Sequence, residues 1–157
     1  RFWWELRPCA SYDAFTQPKI VYQDIMWSPA FALDTSGAFG VNTTYMLPNG
    51  TPWTCAILNS PASWWLAWRQ AQHGKDEALR YFNTFVEEFP IPAPASNEDG
   101  AAALAAISAL AAAAEARHAA RRELRGWYAS AWEIAKTPDL LADPWALDAA
   151  SFAKAIE

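Results

Sequence analysis

The apolar and polar positions of this chain change rhythm about a third of the way along. Lys19–Gln23 alternates in the period of two that a strand requires, and Phe31–Leu33 predicts a second strand. Asp34-Thr35-Ser36-Gly37 is a turn by composition, because Asp and Ser bond local backbone and Gly supplies positive φ. Phe39–Leu47, with Thr43, Thr44 and Tyr45, predicts a third strand closed by the turn Pro48-Asn49-Gly50. The period then becomes helical. Asn59-Ser60-Pro61 supplies a cap and a first-turn proline for a helix over Ala62–Gln72, with Trp64, Trp65 and Trp68 at helical spacing. Tyr81, Phe85 and Phe89 recur every four residues, a pattern that fits a helix, while Val86 and Pro90-Ile91-Pro92 fit an extended exit equally well. Pro90–Pro94 reads as a stiff connector. After Asn97-Glu98-Asp99, an alanine-rich helix is predicted from about Gly100 to about Arg125, with acidic residues at its N-terminus. A last helix is expected from about Asp148, beyond a tail in which Pro138 and Pro144 bound Asp139–Asp143.

These elements predict an α+β fold: a small mixed or antiparallel sheet with short helices, followed by a long alanine-rich C-terminal helix. The expected organisation is a domain over residues 1–92 and a helical extension over 93–157 packing on it. Trp3, Trp4, Leu6, Ile20, Leu58 and Phe89 are the expected core. The aromatic stripe of Trp64, Trp65 and Trp68 is read as core before it is read as a stacking platform.

Composition bears on function class. The 157 residues are 53% hydrophobic and 15% aromatic, with ten tryptophans, which excludes a chain disordered by composition. Net charge is -5; residues 1–92 carry 6 basic and 8 acidic side chains, and residues 93–157 carry 6 and 9. Neither half is a basic tail, so any contact with nucleic acid comes from local arrangement or from a partner domain. Arg117, Arg121, Arg122 and Arg125 suit the C-terminal end of a helix dipole and a solvated face. Cys9 and Cys55 read as free thiols in a reducing cytoplasm. Ala101–Ala114 is too weakly hydrophobic to predict a membrane span. A start on Arg1, without a signal peptide, suggests a piece of something longer.

The sequence offers no catalytic constellation. His73 and His118 lack zinc-ligand spacing, Glu87-Glu88 would point to opposite faces of a strand, and no phosphate-binding glycine loop occurs. Binding signals are softer. The run Arg69-Gln70-Ala71-Gln72-His73-Gly74-Lys75-Asp76, then Arg80 and Asn83, carries the side chains that read base edges: Arg or Lys for guanine, Gln or Asn for adenine.

Trp3-Trp4-Glu5-Leu6-Arg7-Pro8-Cys9, Tyr12-Asp13-Ala14-Phe15 and Pro18-Lys19-Ile20-Val21-Tyr22-Gln23-Asp24-Ile25 resemble the TaqI-like C-terminal specificity domain. That domain is the target-recognition part of bacterial adenine-specific DNA methyltransferases and type IIG restriction–modification enzymes. Phe31-Ala32-Leu33-Asp34, Asn42-Thr43-Thr44-Tyr45, Ile57-Leu58-Asn59-Ser60, Arg80-Tyr81-Phe82 and Phe89-Pro90-Ile91-Pro92 continue the resemblance in order to Pro92. Trp145-Ala146-Leu147-Asp148 with Phe152 resembles C-terminal ends of large members. Members often show a paired-glycine loop before the Arg80 segment, where this chain has Gly74 alone, followed by Lys75-Asp76-Glu77.

The resemblance implies that a separate N-terminal methyltransferase domain, with or without a fused endonuclease, binds S-adenosylmethionine and flips and methylates the target base. This chain holds no Asn-Pro-Pro-Tyr motif, so it is expected to carry no cofactor or metal and to be inactive alone. Its expected partners are double-stranded DNA and the methyltransferase domain of the parent protein, in the cytoplasm and away from any membrane. Side-chain chemistry and location nominate Lys19, Arg69, Gln70, Lys75, Arg80 and Asn83 as DNA contacts. Two alternatives compete: a structural or oligomerisation module built on the alanine-rich helix, and a Trp-rich carbohydrate-binding module.

Overall fold

A computed structural model describes residues 12–40, 42–131 and 147–156. Trp3, Trp4, Leu6, Cys9 and the Pro138–Pro144 tail lie outside the described residues. The fold is α+β, as the patterning predicts, and its strands form two small antiparallel sheets where one sheet was expected. By internal contact the chain divides into residues 1–109 and 110–157.

In the first unit, helix α1 (Tyr12–Thr16) leads into β1 (Lys19–Gln23), the centre of the sheet β3-β1-β4, where β3 is Ala32–Asp34 and β4 is Thr44–Pro48. The register pairs Lys19 with Asp34 and with Pro48, and Tyr22 with Tyr45. Period-two alternation places Ile20 and Tyr22 on the core face. The third strand begins at Thr44, later than the apolar run from Phe39 suggests, because Phe39 turns out to stack on Phe15. Asn49 takes positive φ, and Gly50 then passes so close to β1 that a Cβ would sit 2.7 Å from the Ile20 nitrogen. Only glycine fits there.

Two short helices follow. α2 (Pro52–Leu58) starts on a Thr51 cap, and its Trp53 indole donates to the Pro92 carbonyl at 2.7 Å, holding the proline-rich exit. Asn59 pairs with Phe31 as a strand would, accepting from its N–H at 3.1 Å and donating to its carbonyl at 2.8 Å. α3 (Pro61–Gln70) is capped by Ser60, as predicted, but packs through its small residues Ser63 and Ala67. That choice divides the tryptophan stripe. Trp64 is half-buried and stacks on Tyr81, whereas Trp65 and Trp68 point outward.

The polar segment after α3 is a second sheet, β2-β6-β5, formed by Ile25–Met26, Leu79–Arg80 and Gln72–His73. β5 and β6 are joined by a single 3₁₀-type turn at Lys75–Glu77, in which the Ala78 N–H donates to the Lys75 carbonyl. Asp76 and Glu77 have φ of 56° and 61°, the left-handed pair that a tight hairpin turn needs. Neither is glycine, so the tip holds strain of order 1–2 kcal/mol per residue. Glu77→Gly is therefore expected to raise stability by about 0.5–1 kcal/mol after the entropic cost of glycine. The urea midpoint should rise at unchanged slope; a lower midpoint would show that the Glu77 side chain contributes more than its backbone costs.

The core is an aromatic ladder. Tyr22 faces Phe31 at 5.3 Å, Phe31 meets Tyr81 edge-on at 5.5 Å, Tyr81 meets Phe85 at 5.6 Å, and Phe85 meets Phe89 at 5.6 Å. Ile20, Met26, Leu58, Leu79 and Val86 fill in around it. Of the expected core, Ile20 and Leu58 are buried and Phe89 packs against it half-buried. Burial, with Tyr45, Glu87 and Asp24 nearby, pushes the Tyr22 hydroxyl up to about 12, and burial alone does the same for Tyr81. Cys55 is a half-buried free thiol whose ionisation burial disfavours.

α4 (Asn83–Glu87) realises one turn of the Tyr81/Phe85/Phe89 pattern. α5 (Glu98–Ala131) starts on an Asn97 cap to the Gly100 N–H at 2.9 Å and runs beyond the predicted Arg125. It is long and apolar enough, by length and composition alone, to cross a membrane, which the reading of Ala101–Ala114 did not allow. Much of that apolarity is alanine, whose single methyl buries little area. α6 (Ala149–Ile156) starts where Asp148 accepts from the Ser151 N–H at 2.7 Å.

Candidate nucleic-acid interface

The six nominated residues fall into three environments. Lys19 is interior, with its side chain 1% exposed. Its ammonium forms a short ion pair with Asp34, the residue directly opposite on β3, and donates to the Phe15 carbonyl at 2.8 Å. Burial would push the Asp34 carboxyl up, but hydrogen bonds from Lys19 and from Ser36 outweigh it and hold that carboxyl at about 2. An ammonium engaged this way does not reach a surface ligand. Lys19 is a structural cation.

Asn83 opens α4 and donates to Glu87 Oε1 at 2.6 Å. It lines a hollow of about 360 Å³ with Phe15, Val21, Thr44 and Met46, beside the first sheet. Arg69, Gln70, Lys75 and Arg80 belong to the region built by α3 and the second sheet. Arg69 and Gln70 end α3, and β5 begins after a single intervening residue. The Arg69 guanidinium lies 5.3 Å from the Trp65 ring centroid, and Trp65 is 62% exposed, so cation and indole form an outward-facing stack. Lys75 is at the hairpin tip, 91% exposed, with Asp76 Oδ2 3.9 Å from its ammonium. With Asp76 and Glu77 beside Lys75 the tip is more acidic than basic, so it offers little net attraction to phosphate.

Arg80 is held by more contacts than the others of the group. Strand pairing sets Ile25, Arg80 and Gln72 in one cross-strand row, and alternation turns their side chains to the face opposite the buried Met26 and Leu79. Asp24, one residue before β2, accepts from Arg80 Nε at 2.9 Å and from Nη2 at 2.5 Å. The guanidinium also lies 4.5 Å over the Phe82 ring centroid. Its hydrogen bond to Asp24 pushes the Arg80 pKa further up, so the group stays charged. The side chain remains 32% exposed.

Three residues that sequence reasoning did not nominate belong to this surface. Gln72 sits directly across from Arg80 and is exposed. Trp27 is 63% exposed and donates its indole N–H to the Asp76 carbonyl at 3.0 Å, which fixes it against the hairpin tip. Asp24 aims Arg80. No signal in the sequence marks Asp24 or Trp27, since their roles depend on pairing between β2 and β6 across fifty residues. Gln72 lay within the polar run and lacked only a partner to single it out.

Among the described residues no cluster of His, Cys, Asp or Glu could hold a metal ion. Comparison with protein-family models, curated proteins and solved structures finds no match to this chain.

Proposed function

We propose that this chain is a DNA target-recognition domain of a bacterial adenine-specific DNA methyltransferase or type IIG restriction–modification enzyme. S-adenosylmethionine and the chemistry reside, on this reading, in a separate methyltransferase domain of a cytoplasmic parent protein. The ordered resemblance from Trp3 to Pro92 supports it. So does the conformation of the hairpin tip, where Asp76 and Glu77 take the positive φ that a paired-glycine loop would take at least cost. The observation that carries it is the Ile25–Arg80–Gln72 row, which offers a guanidinium and a primary amide side by side on an exposed sheet face. Those are the groups that form bidentate bonds to guanine and adenine edges. Arg69, stacked on the exposed Trp65 ring, supplies a flanking phosphate contact.

A net charge of -5 makes the isolated chain a weak binder. Anisotropy of a labelled random-sequence duplex at low salt should show dissociation constants on the order of 10⁻⁵–10⁻⁴ M, with a log–log salt slope of roughly -2 to -3. Arg69→Ala should weaken that binding several-fold and flatten the slope by about one. No anisotropy change at low salt would rule out the reading.

One observation favours a second function. Trp27, Trp65 and Trp68 are exposed on one unit, as a carbohydrate-binding surface would require. Indole fluorescence quenching by soluble oligosaccharides, without any response to duplex DNA, would support that alternative.

A further inference from the structure

The Asp24–Arg80–Phe82 arrangement has a geometry more specific than a basic surface residue needs. A guanidinium has five N–H donors, arranged as a side fork (Nε and one Nη2 hydrogen) and an end fork (one hydrogen each from Nη1 and Nη2). Asp24 occupies the side fork with both carboxylate oxygens. Phe82 covers one face of the plane. Among the described residues the Arg80 guanidinium has no hydrogen-bond partner besides Asp24, so the end fork is free, and the side chain is partly open to solvent.

We propose that Arg80 reads a guanine in the major groove through its end fork, with Asp24 as the positioning residue and Phe82 as the backstop. This rests on the DNA-recognition reading above and names the base that the site takes. Two acceptors spaced as guanine O6 and N7 match an end fork. Charge decides between a base edge and a phosphate. The Arg80–Asp24 pair is nearly neutral at a distance, so its Coulombic pull on phosphate is weak, whereas its directional donors are undiminished and already aimed. Gln72, across the strand pair from Arg80, places an amide beside that guanine, where an adjacent adenine would be read.

The test is selection from a random-sequence duplex library with the full 157-residue chain, in wild-type, Asp24→Asn, Arg80→Lys, Arg80→Gln and Phe82→Leu forms. Circular dichroism melts establish which variants fold. The wild type should enrich a motif with one fixed guanine. Arg80→Lys and Asp24→Asn should relax that position alone by ~10-fold or more, leaving the rest of the motif and the salt slope in place. Should a variant not fold, the wild-type chain on duplexes with 7-deazaguanine at the fixed position gives the same answer, with an expected affinity loss of roughly tenfold through the missing N7 acceptor.

A wild type that enriches no motif sinks the DNA reading and this inference together. A motif without a fixed guanine, or one that 7-deazaguanine and the folded variants leave unchanged, overturns only the inference. Uniform weakening of all sequences by the charge-removing Arg80→Gln, with a salt slope reduced by about one, would make Arg80 a phosphate contact and equally overturn it.

Discussion

Asp34→Ala is expected to destabilise the protein by about 3–5 kcal/mol, because it leaves the interior Lys19 ammonium with a single carbonyl partner. The reverse truncation should be milder. In Lys19→Met the aspartate keeps its bonds from the Ser36 N–H at 2.9 Å, the Ser36 hydroxyl at 2.6 Å and the Ala38 N–H at 3.2 Å, so the loss should be about 1–2 kcal/mol. The double variant should lose less than the two losses added, since the unpaired cation is absent. Urea unfolding at neutral pH measures all three. The acid limb gives an independent reading. The Asp34 carboxyl is held at about 2 in the folded state, below its ordinary 3.8. Its contribution is therefore fully present above about pH 4 and lost as pH falls toward 2. Lys19→Met should flatten that limb. Equal losses from the two single variants, with the acid limb unmoved, would mean that water takes the place of either partner and that Lys19 is not sealed.

The same pair shows what the sequence could and could not convey. The strand at Lys19–Gln23 is legible because its alternation is local, and the Ser60 cap and the helix start after Asn97 are legible because a helix and its start signals are neighbours. Whether Lys19 points at solvent depends on Asp34 lying opposite it in register, a non-local fact. The second sheet escapes for a related reason. Its strands are two residues each, too short for any period to show, and they are drawn from residues 25, 72 and 79 onward. Arg80 could thus be nominated from chemistry, whereas Asp24, which orients it, could not.

The tryptophan stripe of α3 shows a different limit. Helical spacing correctly puts Trp64, Trp65 and Trp68 in one helix but does not say which arc of the helix faces inward. Ser63 and Ala67 win the inner arc because small side chains let α3 approach the core closely, and the Ser63 hydroxyl satisfies itself on the Ile57 carbonyl at 2.5 Å. The displaced indoles become surface. The small residues of an aromatic helix therefore carried the packing information, and two of its three large indoles were left to the surface.

This inversion gives the second large effect. Tyr81→Ala should cost about 3–5 kcal/mol. Tyr81 is buried at the crossing point of the aromatic ladder, between Phe31, Trp64 and Phe85, and its N–H donates to the Asp24 carbonyl at 2.7 Å. Trp65→Ala removes a larger ring, but one on the outward arc of α3, and should change stability by only ~0.5 kcal/mol or less. Its consequence should fall on binding instead, since the Arg69 guanidinium loses the surface that holds it. Thermal unfolding and duplex anisotropy, run on the same two variants, separate the roles. If Trp65→Ala unfolded the chain as readily as Tyr81→Ala, the exposed arc of α3 would be a packing surface, and the interface would have to be sought on the Arg80–Gln72 row alone.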